Sequence, residues 1–189
     1  MKITAFCGSP RRGGNSEIIL DWATSAILAN GHNIQIFRPD SLKFSPCLNC
    51  GGCNESGECV INDDMAQVYS AIRDSDRFLI CSPIFFFGLP AQIKAVIDRC
   101  QALWVEKYLL KRPIPDGNYV RKGLVILVGG LKMKVGFDCG GACATAFYRS
   151  ISVPEHETIS FEKIDDKGAI IEHPDALSKV RHAALNLIK

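Results

Sequence analysis

Short apolar runs alternate along this chain with longer stretches in which apolar residues recur at every third or fourth position. Residues 2–7 read as a short buried strand. Ile19, Trp22, Ala23, Ala26 and Ile27 then repeat at helical spacing, with Gly31 as the stop. Ile34 and Ile36 alternate with polar neighbours in a second strand, and a long loop follows. Asn62-Asp63-Asp64 supplies a cap and negative charge for a helix running to about Arg73. Phe78–Cys81 reads as a third strand, and Ile93, Val96, Ile97, Cys100 and Trp104 mark an amphipathic helix after Pro90. Leu124–Val128 is continuously apolar, as a central strand covered on both faces should be. A helix is expected over part of 140–150, a fifth strand at Thr158–Phe161 and a turn at Asp165-Asp166-Lys167-Gly168. Pro174 is expected to open a last helix with Leu177, Val180, Ala184 and Leu187 facing inward.

Five strands separated by helices imply an α/β protein with a parallel, doubly wound sheet. The 189 residues fit a single domain, 1–189, and can bury a core without help from metal or disulfides. A net charge of +2 gives no reason to expect nucleic acid or a membrane surface as partner. The apolar run after Lys2 is too short for a secretory core, and Gly123–Leu131 falls far short of a membrane span. The expectation is therefore a cytoplasmic protein. In that compartment nine cysteines argue against disulfides and for metal or redox chemistry. Cys7, Cys81, Cys100, Cys139 and Cys143 read as small buried hydrophobes.

Cys47, Cys50, Cys53 and Cys59 stand apart. They lie within thirteen residues, spaced C-x2-C-x2-C-x5-C, in a cysteine-rich loop at 46–60 that also holds Gly51, Gly52 and Gly57. One short loop with this spacing can wrap a cubane iron–sulfur cluster in thiolates. Zinc, disulfide formation and an empty reduced loop are the alternatives.

Two further segments follow strands. Gly8-Ser9-Pro10-Arg11-Arg12-Gly13-Gly14-Asn15-Ser16 joins the first strand to the first helix. Its glycines let backbone N–H groups converge where a helix N-terminus favours an anion, and Ser9, Asn15 and Ser16 can donate to it. Arg11 or Arg12 can balance a terminal phosphate. The segment is neither a Walker loop nor G-x-G-x-x-G. Ser82-Pro83-Ile84-Phe85-Phe86-Phe87-Gly88 follows the third strand, beside the first loop at the carboxyl ends of the sheet, where a flat heteroaromatic ring can lie. At least one of the three phenylalanines is expected in the core. Gly129-Gly130-Leu131-Lys132 follows the fourth strand and should border the same ligand. The cysteine loop, after the second strand, is expected on this rim too. His32, His156, His173 and His182 are scattered, without metal or triad spacing.

In "GSPRRGGNS" and "SPIFFFGLPAQIKAVIDR" the chain resembles the NADPH-dependent FMN reductase-like branch of the flavodoxin-like fold. The resemblance implies a five-stranded sheet of order 2-1-3-4-5. It implies that the glycine-rich loop, through Ser9, Arg11, Gly14, Asn15 and Ser16, holds the FMN phosphate. Pro83, Ile84, Phe85, Phe86, Gly88 and Gly130 would border the ring. Relatives commonly carry a tyrosine near Phe85, which here lacks the hydroxyl. The cysteine run resembles the compact motif of the iron–sulfur flavoproteins within that family, in which Cys47, Cys50, Cys53 and Cys59 would hold a [4Fe–4S] cluster near FMN. The bacterial ferredoxin run differs, since Val60 rather than proline follows the last cysteine.

The function so implied is an FMN-dependent oxidoreductase coupling flavin to the cluster. NAD(P)H or a ferredoxin-type protein would be the electron donor, and a homodimer or homotetramer the assembly. No acid or base side chain is assigned to catalysis. An NAD(P)H:FMN or quinone-type reductase with an empty cysteine loop, a flavin carrier without turnover, and a zinc-binding module are the alternatives. The small positive charge disfavours a carrier of the acidic flavodoxin type.

Overall fold

The computed structural model describes residues 1–112, 114 and 120–189. Five parallel strands form one sheet: β1 (Lys2–Cys7), β2 (Asn33–Phe37), β3 (Arg77–Pro83), β4 (Lys122–Gly129) and β5 (Glu155–Glu162), in the order β2-β1-β3-β4-β5. This is the flavodoxin-like order. The helices are α1 (Asn15–Ala29), α2 (Met65–Asp74), α3 (Ala91–Arg99), α4 (Gln101–Trp104), α5 (Lys134–Ser150) and α6 (Ala176–Leu187), with one π turn at Val105–Leu109. None is long and apolar enough to cross a membrane.

The period of two in the strands sorts the core into two layers. Ile3, Ala5, Leu79, Cys81, Leu124, Ile126 and Val128 face α1 and α6. Phe6, Phe78, Ile80, Val125 and Leu127 face α2, α3 and α5. A strand filling both layers has no polar face to show, which is why β1, β3 and β4 read as uninterrupted apolar runs.

Several boundaries differ from the pattern. β5 starts at Glu155, three residues before the expected Thr158, because an edge strand tolerates the polar Glu155, His156 and Glu157 that broke the apolar signal. α5 reaches back to Lys134. Its helix signal was weakened by Gly136 and Gly140, and these glycines admit a neighbour: a Cβ there would lie 3.0 Å from Ile84 Cγ2 and 2.7 Å from Ile84 Cδ1 respectively. In α6, Val180, Ala184 and Leu187 are buried as expected, while Leu177 points outward and Ala176 and Ala183 complete the buried stripe. Cys7, Cys81 and Cys100 are buried as expected, but Cys139 is exposed and Cys143 half-buried, because both sit on the outward side of α5.

α2 begins as its sequence suggests. The Asp63 carboxylate accepts from the Met65 N–H at 3.0 Å and from the Ser45 N–H at 3.2 Å.

Candidate functional site

Adjacent strands β1 and β3 bring two of the three loops together. The Gly8 N–H donates to the Cys81 carbonyl at 2.7 Å, and a Cβ on Gly8 would fall 2.6 Å from Ser82 Oγ. Only a glycine allows that approach. Beyond it the Arg11 N–H donates to Ser9 Oγ at 3.2 Å, turning the chain toward α1. The loop ends in Gly14, which stands at the N-cap of that helix.

A cavity of about 330 Å³ opens at these strand ends. Ser9, Arg11, Gly14, Asn15, Ser16, Pro83, Ile84, Phe85 and Gly130 line it, together with Val128, Gly129, Ile164 and Asp165. One end is polar, formed by the buried Ser9, Asn15 and Ser16 at the start of α1. The first-turn N–H groups and the helix dipole favour an anion there. The other end is an apolar shelf, fixed where the Ile84 N–H donates to the Val128 carbonyl at 3.0 Å.

The two arginines of the loop separate. Arg11 lines the cavity, while Arg12 turns away to Asp40 (2.9 Å) and Ser41 (2.7 Å). Asn15 also has work outside the cavity. Its Nδ2 donates to the Asp166 carbonyl at 2.9 Å and its Oδ1 accepts from the Ile170 N–H at 3.2 Å. Those bonds pin the segment after β5 against α1, and the Ile164 N–H bonded to the Gly129 carbonyl at 3.0 Å pins it to β4. The wall made by Ile164 and Asp165 was missed from sequence, although the turn at Asp165–Gly168 and its place after a strand were legible.

Phe86 and Gly88 do not line this cavity. Phe85 and Gly88 close a tight antiparallel bridge through two bonds of 2.9 Å, and Phe86 and Phe87 adopt left-handed φ values of 47° and 61°. None of the three phenylalanines is in the core: Phe86 is fully exposed, and Phe85 and Phe87 are more than one-third exposed. The expectation that one would be buried fails because the turn throws these side chains outward. Bulky residues at positive φ are strained, and such strain gathers at ligand sites.

Cys47, Cys50, Cys53 and Cys59 line a second cavity, of about 170 Å³, closed by Leu48, Val60, Ile61, Arg99 and Ala102. Left-handed turns at Asn49, Gly51 and Gly57 fold the loop back on itself, and the Asn49 N–H donates to Cys47 Sγ at 3.4 Å. Burial pushes the Cys53 thiol up, and the other three sulfurs add to the effect. Among the described residues no three side chains of the metal-ligating types stand close enough to grip an ion as they are placed. The donor set nevertheless fits a sulfur-ligated group, because all four thiols open onto one enclosed space with an amide N–H already bonded to a sulfur. All nine cysteines are free thiols.

The thiol cavity and the anion cavity share no lining residue. Arg99 walls the thiols at the end of α3, whose nine residues run about 13 Å from the aromatic loop. The loop packs along the end of α3 and the start of α4.

Arg99 fastens this loop. It donates to the Ser45 carbonyl at 2.7 Å, the Ile61 carbonyl at 3.4 Å and both oxygens of Asp63. Burial works against an ionised Asp63, yet the Arg99 fork and the N–H groups of Met65 and Ser45 hold its carboxyl below the usual range. Arg112 bonds the Ser56 carbonyl from the other side.

The sequence profile of the NADPH-dependent FMN reductase family matches residues 1–132. The chain is 33% identical over 130 residues to the iron–sulfur flavoprotein of Methanosarcina thermophila, covering 69% of this chain and 64% of that one. It is 35% identical over 128 residues to an iron–sulfur flavoprotein of Archaeoglobus fulgidus, covering 68% and 62%. Each match thus spans less than two thirds of the relative. Among solved structures, the NAD(P)H:quinone oxidoreductase of Methanothermobacter marburgensis superposes with a TM-score of 0.74 at 16% identity, over 100% of this chain and 98% of that one, a likeness of fold.

Proposed function

The chain belongs to the NADPH-dependent FMN reductase family, and from that premise we propose that it is an FMN-dependent oxidoreductase pairing the flavin with a [4Fe–4S] cluster in its cysteine loop. The observation that carries the flavin half is the single cavity in which residues from the ends of β1, β3 and β4 meet, with an anion site at one end and an apolar shelf at the other. Ser9, Ser16, Gly14 and Arg11 would hold the phosphate. Asn15 would brace the wall behind it, and Pro83, Ile84, Phe85 and Gly130 would frame the ring. Phe86 and Gly88 shape the turn rather than the cavity. Cys47, Cys50, Cys53 and Cys59 would hold the cluster, with the iron–sulfur flavoprotein relatives as support.

When bound, FMN supplies two-electron and one-electron chemistry and the cluster supplies one-electron chemistry. The chain's own part is to orient the ring and exclude water on the apolar side. Phe85, at the shelf, has no hydroxyl to donate to the ring. A nicotinamide donor fits the family, and a ferredoxin-type protein fits the one-electron side. Exposed Phe85, Phe86, Phe87, Leu131 and Met133 give a second copy of the chain an apolar surface to cover, in keeping with a homodimer or homotetramer. We read the chain as one domain working in a reducing compartment such as the cytoplasm, consistent with nine free thiols.

A second reading, a reductase with an empty cysteine loop, is favoured by one observation: hydrogen bonds from Arg99 to Ser45 and Asp63 tie the two ends of the loop together. Titration with FMN followed by anaerobic NADH or NADPH tests the flavin reading. Uptake of FMN and bleaching of its band near roughly 450 nm is the expected result. Failure to take up FMN overturns both readings.

A further inference from the structure

Three buried side-chain polar atoms lack a partner among the described residues: Thr24 Oγ1, Arg121 Nε and Arg99 Nε. Arg121 lies deep in the core, its guanidinium 5.3 Å from the centre of the Phe78 ring, and its two Nη atoms cap the carbonyls of Ile72, Arg73 and Ile151. Its role is structural. Arg99 differs, because it lines the thiol cavity.

The Arg99 side chain is 1% exposed, and both of its Nη atoms are spent. They hold Ser45 on one side of the cysteine segment and Ile61 and Asp63 on the other, so the fork fixes the guanidinium plane from both ends of the loop. Nε is left over. A buried N–H on a cation without an acceptor carries the full desolvation cost of that group, and native proteins rarely leave one so. The cavity wall around Arg99 holds the four cysteine sulfurs, the apolar Leu48, Val60, Ile61 and Ala102, and the amides of Asn49, Asn54 and Gln101, none of which accepts from Nε.

We propose that Arg99 is the positioning residue of the cysteine loop, and that its Nε–H is kept for a sulfur of the group the four cysteines bind. The proposal rests on the cluster reading above. A hydrogen bond from a fixed cation to cluster or cysteine sulfur stabilises the reduced, more negative state, so Arg99 raises the reduction potential of the cluster relative to the same loop without it. The donor comes from α3, the helix that begins after the aromatic loop of the flavin cavity, so one helix ties the two sites together.

The test is redox titration of the holoprotein, wild type against Arg99→Lys, following reduced cluster by EPR and flavin by absorbance. Lysine keeps the charge and loses both the fork and Nε. The expected result is an Arg99→Lys protein with wild-type FMN content and circular dichroism. Its cluster is either lost on chelator challenge or reduced to a reduced:oxidised ratio tenfold lower at the wild-type midpoint, equivalent to about 59 mV for one electron. A loaded variant whose ratio stays within twofold of wild type overturns the proposal. Should Arg99→Lys not fold, Arg99→Gln decides: it removes the cation and Nε while keeping a side-chain amide at the loop, and a loaded Arg99→Gln protein whose ratio stays within twofold of wild type overturns the proposal. A wild-type protein that binds FMN but takes up no iron and sulfide under anaerobic reconstitution overturns the cluster reading itself, and the proposal with it.

Discussion

The Arg99 guanidinium meets the Asp63 carboxylate as a two-point fork, Nη1 to Oδ2 at 2.6 Å and Nη2 to Oδ1 at 3.1 Å. The pair sits where the cysteine loop re-enters α2, and Asp63 simultaneously caps that helix. Removing one partner leaves the other charge buried and uncompensated. Asp63→Ala should therefore cost about 3–5 kcal/mol, toward the low end because Asp63 is not fully enclosed. Urea unfolding measures the loss. Hydrogen exchange should show it first in residues 45–63, and protection there equal to wild type would contradict the role given to the pair.

The same pair sets an acid limit. The carboxyl of Asp63 is held below its ordinary value, so its folded pKa lies below its unfolded one of about 3.9. The stability it contributes is fully present above about pH 4 and is lost as pH falls through the folded pKa. Limited proteolysis across that range should find the cysteine loop cleaved at a higher pH in wild type than global unfolding occurs. Asp63→Asn should flatten that dependence.

Metal loading should run the other way with pH. Burial and three neighbouring sulfurs raise the Cys53 thiol, so the loop without metal keeps its proton at neutrality. Cluster assembly must displace it. Proton release on reconstitution, and faster reconstitution as pH rises, are expected; pH-stat titration checks the first.

Within the glycine-rich loop the two arginines should differ. Arg11 faces the cavity, whereas Arg12 is engaged by Asp40 and Ser41. Arg11→Ala should weaken FMN binding by about 10- to 100-fold, the range of one charge-assisted hydrogen bond. Arg12→Ala should change it by less than about threefold, as an exposed pair contributes little. Flavin fluorescence quenching reads both, and equal losses would contradict the geometry.

Gly123 tests the core that carries β4. A Cβ there would lie 2.5 Å from Cε2 of the Tyr148 ring, and that ring cannot swing away because its hydroxyl donates to the Leu124 carbonyl at 2.8 Å, with the Phe78 carbonyl 3.2 Å off. Gly123→Ala should destabilise the protein by about 1–3 kcal/mol, measured by denaturant midpoint.

How far the sequence was legible follows from the range of the forces involved. β1, β3 and β4 fill both layers, so their apolar runs stood out, and with them the three strand-end loops that line the cavity proposed for flavin. The start of β5 and the span of α5 were obscured by the polar edge residues Glu155 and Glu157 and by Gly136 and Gly140, whose reason is the distant Ile84. The outward turn of Phe85–Phe87 depends on two left-handed residues that no local propensity announces. The Ile164–Asp165 wall and the Arg99 clamp depend on partners far away in sequence, as Asn15 with Asp166 and Ser45 with Arg99 show.

The central claim is that one chain carries a flavin and a cysteine-bound cluster together. It is tested most directly by counting FMN, iron and acid-labile sulfide in protein purified without oxygen. The account predicts about one FMN, four iron and four sulfide per chain, with the iron and sulfide counts both collapsing in a Cys50→Ala variant that keeps its FMN. Zinc without iron or sulfide, or a full complement of FMN with no metal at all, would contradict it.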